Sequence, residues 1–345
     1  MKMIERAFAA ALLLAIAWPA GALAVSNDST LSGETLEWPL PWRDGVELRY
    51  WTEGYDDLGD PRERQRTRVT AIETLRITEN GDKGYLQHWT IADSRFETVE
   101  GGAGGAAVMQ AMRDAMGDIE LEVELDRHGT DSGVRNLDEI SARMGPAMHA
   151  ALLAALEEEI NASGAAFDAD HLKIQRLAAL NYIDAVVEWG ASPEAVQALV
   201  GDDVAQFNRF VGTTMVEGLE YETGETFIHP GTGAALPATM RFSGRVADPD
   251  SDEVLLEWTT RLDPDQALAG SDGDDTPGTA TDGLSMSEEG WLRYRRSSGV
   301  IEMLEATLTH RLQGTLTVKR RRMRLLDGDQ DHAWPVDTPP VPAAI

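Results

Sequence analysis

Seven histidines, His88, His128, His149, His171, His229, His310 and His332, are the side chains best suited to acid–base work or metal ligation near neutral pH. Their spacing supports neither role. No two stand as a zinc-type pair, and no His-Glu-x-x-His occurs. His149 and His171 fall on separate helical stretches, where a solvated or core role is the plain reading. There is no Gly-x-Ser-x-Gly elbow and no Ser-x-x-Lys pattern. Cysteine is absent, which removes thiolate metal sites, Cys nucleophiles, disulfides and a lipid-attached Cys. Asp248, Asp250 and Asp252 alternate as in a calcium loop. However, Glu253 stands where that loop needs Gly and Thr259 where it needs a bidentate Glu, so a turn is expected. A carboxylate pair of the glycosidase kind is available only because acidic residues number 59. Gly101–Gly105 opens a helix but lacks the Lys-Ser/Thr of a phosphate loop and reads as a hinge. No residue is assigned to catalysis, to a metal or to a cofactor.

The residues that point toward a ligand are softer. Met109, Met112, Met116, Met144 and Met148 recur on helix faces and would give a pliable lining for an apolar molecule, with Trp89 and Trp258 as aromatic walls. Filling of an ordinary core is the alternative. The basic run Lys319-Arg320-Arg321-Arg322, with Arg324, stands out in so acidic a chain. On a strand it must split between two faces, which suits pairing with acidic neighbours or docking of an anionic partner.

The elements that position these residues follow from periodicity. From Leu137 the apolar residues Ile140, Met144, Met148, Leu152, Leu156 and Ile160 recur at helical spacing, and Asn136 with Glu139 resembles a capping box. A second helix is expected from about Asp168, carrying Leu172, Ile174, Leu177, Leu180, Ile183 and Val187 to Gly190. A third has Ser192 as cap and Pro193 at its first position, with Val196, Leu199, Val204, Phe207 and Val211 inward; Gly201-Asp202-Asp203 is a candidate break. Strands are expected at Gly45–Glu53, Arg66–Thr78, Gly84–Val99, Ile119–Leu125, Met215–Phe227, Pro237–Val246, Val254–Leu262, Val300–Leu312 and Thr315–Leu326, the last two the longest. Gly54–Pro61 reads as a loop, and Glu79–Lys83 as a hairpin turn.

The two β-rich stretches share landmarks. Arg76-Ile77 and Trp89-Thr90 match Arg245-Val246 and Trp258-Thr259 at a constant offset of 169, Ser132-Gly133-Val134 matches Ser298-Gly299-Val300, and Tyr50 pairs with Tyr221. An internal duplication is one account; the generic likeness of strand–turn–strand units is the other. The expected fold is α+β: curved antiparallel sheet from two possibly duplicated β-rich halves, residues 45–135 and 213–326, around a helical insert, 136–212. Residues 25–326 would form a single domain, followed by a tail at 327–345. The acidic stretch Ala267–Asp282 and that tail have no core-forming pattern.

Residues 1–24 have the basic start, apolar run and Ala22-Leu23-Ala24 site of a cleavable signal peptide, which implies a periplasmic or secreted protein cut after Ala24. Cleavage removes Lys2, Arg6 and Glu5, taking the formal charge from −29 to −29 − (2 − 1) = −30. So negative a chain is repelled by nucleic acid and by anionic lipid surfaces, and no transmembrane segment is expected in the mature chain.

The order strand pairs, helices, strand pairs with Ser-Gly-Val endings resembles a group of secreted bacterial proteins of uncharacterised function. It is also loosely similar to the periplasmic lipoprotein-carrier half-barrel. That resemblance implies a curved antiparallel sheet over helices and an apolar cavity, and carries no functional residue across. The leading expectation is a non-enzymatic envelope protein that binds an apolar or amphiphilic ligand, a lipid among them. The rival is an envelope interaction or scaffold protein without a cavity, and a hydrolase comes third.

Overall fold

A computed structural model of the chain describes residues 33–59, 64–101, 104–117, 119–162, 169–228, 235–248, 250–262, 284–312 and 314–326. The expected signal peptide, the acidic loop Ala267–Asp282 and the tail lie outside these residues. The elements are β1 (Thr35–Glu37), β2 (Glu47–Gly59), β3 (Gln65–Glu79), β4 (Tyr85–Glu100), α1 (Gly104–Met116), β5 (Leu121–Leu125), β6 (Asp131–Val134), α2 (Leu137–Ala162), α3 (Ala169–Gly190), α4 (Pro193–Asn208), β7 (Thr214–Val216), β8 (Glu220–Ile228), β9 (Ala235–Val246), β10 (Glu253–Leu262), β11 (Ser285–Arg295), β12 (Ile301–Leu312) and β13 (Thr315–Leu325). The protein is α+β with strand predominating.

One antiparallel sheet of 11 strands holds both β-rich halves, in the order β6-β5-β4-β3-β2-β13-β12-β11-β10-β9-β8. Each half is a meander, and they meet where β13 pairs with β2. Helices α2, α3 and α4, followed by β7, lie between the two outer strands β6 and β8, and α1 lies between β4 and β5. Short β1 pairs with β7 in a separate ribbon.

The sheet curls. Strands β4 and β9 stand seven places apart in the order, which is about 34 Å in a flat sheet at about 4.8 Å per strand. Yet Trp89 of β4 lies 5.0 Å from Phe207, and Phe242 of β9 lies 5.3 Å from Phe210. Residues three apart on a helical turn have Cβ atoms only about 5–6 Å apart. Two phenylalanines cannot bridge the flat distance, so the sheet wraps its concave face around the end of α4.

Two cores follow. Under the sheet, Leu36, Trp38 and Trp42 from the arm before β2 pack with Phe207 and Phe210 against Tyr50, Leu75, Trp89, Trp258, Leu292 and Tyr294. Trp38 stacks on Tyr294 at 4.1 Å and donates its indole N–H to the Gly299 carbonyl, 2.8 Å away. A Cβ at Gly299 would meet the Pro39 carbonyl, and its φ of +74° is one that L side chains rarely adopt, so the position demands glycine. The matching Gly133 also has positive φ, 109°. The two Ser-Gly-Val copies thus share a positive-φ glycine, within β6 in the first and after a turn in the second. The second core is helical: Met112, Ile140, Met144, Met148, Leu152, Leu156, Ile183 and Val196 are buried together, with Met109 packed against them.

Several local expectations change. β2 runs on through Gly59, where a loop was expected after Glu53; pairing with β13 on one side and β3 on the other supplies the hydrogen bonds that keep it extended. The longest strands are β4 with 16 residues and β3 with 15, ahead of β12 and β13. Met215 and Phe227 belong to separate strands. Helix α4 passes unbroken through Gly201. Asn136 spends its side chain on β5: its Oδ1 accepts from the Glu122 N–H at 3.0 Å, and its Nδ2 donates to the Glu120 carbonyl at 2.7 Å. Leu177 is exposed, lying off the face that Ile183 and Val186 bury.

Candidate functional site

The site is built from strand register. Residues directly opposite in antiparallel strands point to the same face. Thr98, Thr67, Asp56, Lys319, Leu308, Glu288, Thr260, Met240 and Thr223 stand opposite one another in succession from β4 to β8. They form one row across the concave face, and all but Leu308 and Met240 are polar. One row toward the aromatic end runs Phe96, Val69, Gly54, Arg321, Ala306, Gly290, Trp258, Phe242 and Tyr221. On the other side, Phe227, Leu236, Ala238 and Met286 form a small buried apolar cluster, with Leu262, Leu284 and Leu308 against it.

The row is covered unevenly. Glu288 and Thr260 are fully buried, whereas Thr67, Asp56, Lys319 and Leu308 are only partly so. Phe96 and Val69 are also partly exposed, and Ile91, opposite Glu73 on the same face, is among the most exposed large apolar side chains. Partly exposed apolar and charged side chains thus lie together on the concave face of β4, β3, β2, β13 and β12, and this open stretch is the candidate recess. Burial pushes the Asp56 carboxyl above the usual carboxylate range, and Lys319 opposite pulls it back.

The sequence-derived ligand set divides between the cores. Met109, Met112, Met144 and Met148 belong to the helical core. Met116 lies in α1, its side chain outside the described residues. α1 runs beside β4: Gln110 accepts from the Phe96 N–H at 3.0 Å, and Arg113 donates to the Ile91 carbonyl at 2.5 Å. The methionine helix therefore borders the recess.

Trp89 and Trp258 are brought into matching positions in the two halves. Each packs on a phenylalanine at the end of α4, Trp89 on Phe207 and Trp258 on Phe210, 5.4 Å away. Each also donates its indole N–H to a buried polar side chain that α4 holds. Trp89 donates to Gln87 Oε1 at 3.1 Å, and Gln87 exchanges amide hydrogen bonds with Asn208 at 2.9 and 3.0 Å. Trp258 donates to Glu288 Oε1 at 2.8 Å, which also receives Gln206 at 3.1 Å and Arg209 at 3.2 Å. Neighbouring residues Asn208 and Arg209 thus pin one helix end to both halves. Sequence reasoning missed Gln206, Asn208, Arg209 and Glu288; the Phe207-Asn208-Arg209-Phe210 run, with polar residues between aromatics at a helix end, was the available signal.

The basic run splits as strand alternation requires. Arg322 pairs with Glu53 and Glu305 at 3.6 and 3.1 Å on the convex face, where Arg320 lies 5.6 Å from the Tyr55 ring. Lys319 and Arg321 point to the concave face, and Arg321 reaches Glu73 at 3.2 Å. Asp252 accepts from the Ser297 N–H at 2.9 Å, a turn contact. Among the described residues no group of three or more His, Asp or Glu could hold a metal ion, and no helix is long and apolar enough to cross a membrane. His149 meets Asp184 at 3.4 Å on the helical surface, and the His171 side chain lies outside the described residues.

No protein-family model matches the chain, and no curated protein does. Among solved structures, a chain from a study of lipid–protein interactions in lipovitellin superimposes with a TM-score of 0.42 at 9% identity, over 83% of this chain and 25% of that one. The protein thus spans about a quarter of the length of that neighbour.

Proposed function

We propose that this is an exported, non-enzymatic protein that holds an apolar or amphiphilic ligand against the concave face of its sheet. The observation that carries the reading is this partly exposed stretch of the concave face. Ile91, Phe96, Val69 and Leu308 leave apolar surface partly open in a concavity whose remainder is packed, and such concave apolar surface with a few fixed polar groups is the form ligand sites take. In this account the methionines of α1 and α2 make the neighbouring wall deformable, and Trp89 and Trp258 fix the helix end that bounds the recess. The same proposal includes a signal peptide at residues 1–24, a periplasmic or secreted location, one domain over 25–326, and descent of the two halves from a duplicated unit. The matched settings of Trp89 and Trp258 support that duplication.

The second reading, an envelope interaction protein, draws on the aromatic end of the core, where Trp38, Trp42, Phe207 and Phe210 fill the space under the sheet. Native mass spectrometry of the mature protein, prepared without detergent and with organic extraction, separates the two. A discrete extractable mass, or uptake of lipid from added mixtures, is expected. A clean mass that no lipid mixture changes would refute the binding reading and leave the interaction account.

A further inference from the structure

The charges on the recess floor balance, although the chain as a whole carries −29. Short of the exposed Glu79 at the end of β3, the concave face along β2, β3, β13, β12 and β11 bears three carboxyl groups, Asp56, Glu73 and Glu288. Three cations answer them. Arg321 meets Glu73 at 3.2 Å, Arg209 of the α4 end meets Glu288 at 3.2 Å, and Lys319 stands opposite Asp56 in the β13–β2 register. The Glu288 pair is sealed, with Arg209 and Glu288 side chains 8% and 0% exposed, and the Glu73 pair nearly so at 13% and 15%. Asp56 and Lys319 are the members that keep partial exposure.

Directly opposed residues of antiparallel strands have Cβ atoms about 4.5–5.5 Å apart. The candidate recess therefore offers one carboxyl and one ammonium group within a single head group's width. Leu308 and the apolar cluster of Phe227, Leu236, Ala238 and Met286 continue on one side, and Val69 and Phe96 on the other. Farther along the same row, beyond Glu288, the fully buried Thr260 hydroxyl has no hydrogen-bond partner. A buried unsatisfied hydroxyl is costly, which fits a polar row that completes its hydrogen bonding with a guest or with water.

We infer that Asp56 and Lys319 form the head-group subsite of this recess and select a zwitterionic amphiphile over an anionic one of equal chain length. The inference rests on the ligand-binding reading and adds its specificity. A head group bearing both a cation and an anion satisfies Asp56 and Lys319 together. A purely anionic head competes with Asp56 for Lys319, and it must also approach a strongly negative protein.

The test uses the full mature protein and two lysophospholipids of one acyl chain, a zwitterionic lysophosphatidylethanolamine and an anionic lysophosphatidylglycerol. Both are titrated below their micelle concentrations by calorimetry. The wild type is expected to favour the zwitterionic lipid by about tenfold, the scale of one charge-assisted hydrogen bond gained or lost. Asp56→Leu/Lys319→Leu should keep tail binding but bring the two affinities within about twofold, a loss of most of that tenfold ratio. The exchanged pair Asp56→Lys/Lys319→Asp should retain the preference, which also guards against a fold defect in the apolar variant. Equal or stronger anionic binding by the wild type, or an unchanged preference in the double-leucine variant, overturns the subsite. Wild type that binds neither lipid overturns the ligand-binding reading itself, and the subsite with it.

Discussion

Replacing Arg209 with methionine should be among the most damaging single changes in this protein, and the companion change at Glu288 should undo most of the harm. Glu288 is fully buried and receives Trp258, Gln206 and Arg209 at 2.8, 3.1 and 3.2 Å. Arg209→Met keeps a side chain of similar girth but leaves the carboxylate without its cation in a site closed to water. Breaking a buried pair from one side costs about 3–5 kcal/mol, a large share of the roughly 5–15 kcal/mol that holds a domain folded. Glu288→Gln should cost about as much, since it strands Arg209 among Trp258 and Met240. The double variant removes both charges, and the glutamine carbonyl can still accept from Trp258 and Gln206. It should therefore lose only about 1–3 kcal/mol, far short of the sum of the singles. Guanidinium unfolding followed by circular dichroism measures all four corners of the cycle. If the double variant is destabilised by the sum of the two singles, Arg209 and Glu288 are not coupled, and the pinning of α4 to the second half is wrong.

Gly290→Ala would place a Cβ 2.2 Å from the Trp258 ring; the ring or β11 must shift, and a loss of about 1–3 kcal/mol in the same unfolding assay is expected. Ser192→Ala removes the side chain that accepts from the Ala195 N–H at the start of α4, and a loss of about 1 kcal/mol is expected. For Asp56 the sign follows from its raised folded-state pKa. The folded protein holds that proton more tightly than the unfolded chain, so the contribution is fully present below about pH 4, where the unfolded carboxyl protonates, and is lost as pH rises through the folded value. Asp56→Asn should accordingly be more stable than wild type at pH 7, with the gap closing as pH falls toward 4; a gap that is flat or widens on acidification would show that Asp56 is not desolvated in the fold.

The chain's own pattern determined most of the elements. Helical periodicity placed Ile140, Met144, Met148, Leu152 and Leu156 on one face, and all five are buried. Ser192 and Pro193 announced α4 because capping is chemistry within four residues. Alternation separated Lys319 and Arg321 from Arg320 and Arg322, since a strand has only two faces. These are short-range rules, and neighbours in sequence suffice to read them.

What the sequence left open was decided by contacts between residues far apart along it. That β2 continues past Gly54 depends on β13, some 260 residues on, which supplies its second hydrogen-bonding edge. Asn136 looked like a cap, but β5 packs close enough to claim its amide. Met109, Met112, Met144 and Met148 and the two tryptophans, joined in one candidate lining by composition, fall in separate cores because the helices and the sheet each bury their own face. The concave face that holds the candidate recess exists only once 11 strands curl around Phe207 and Phe210. Its Asp56 and Lys319 come from opposite ends of the chain, and no local pattern could have marked them as neighbours, because register between distant strands is fixed by the assembled sheet.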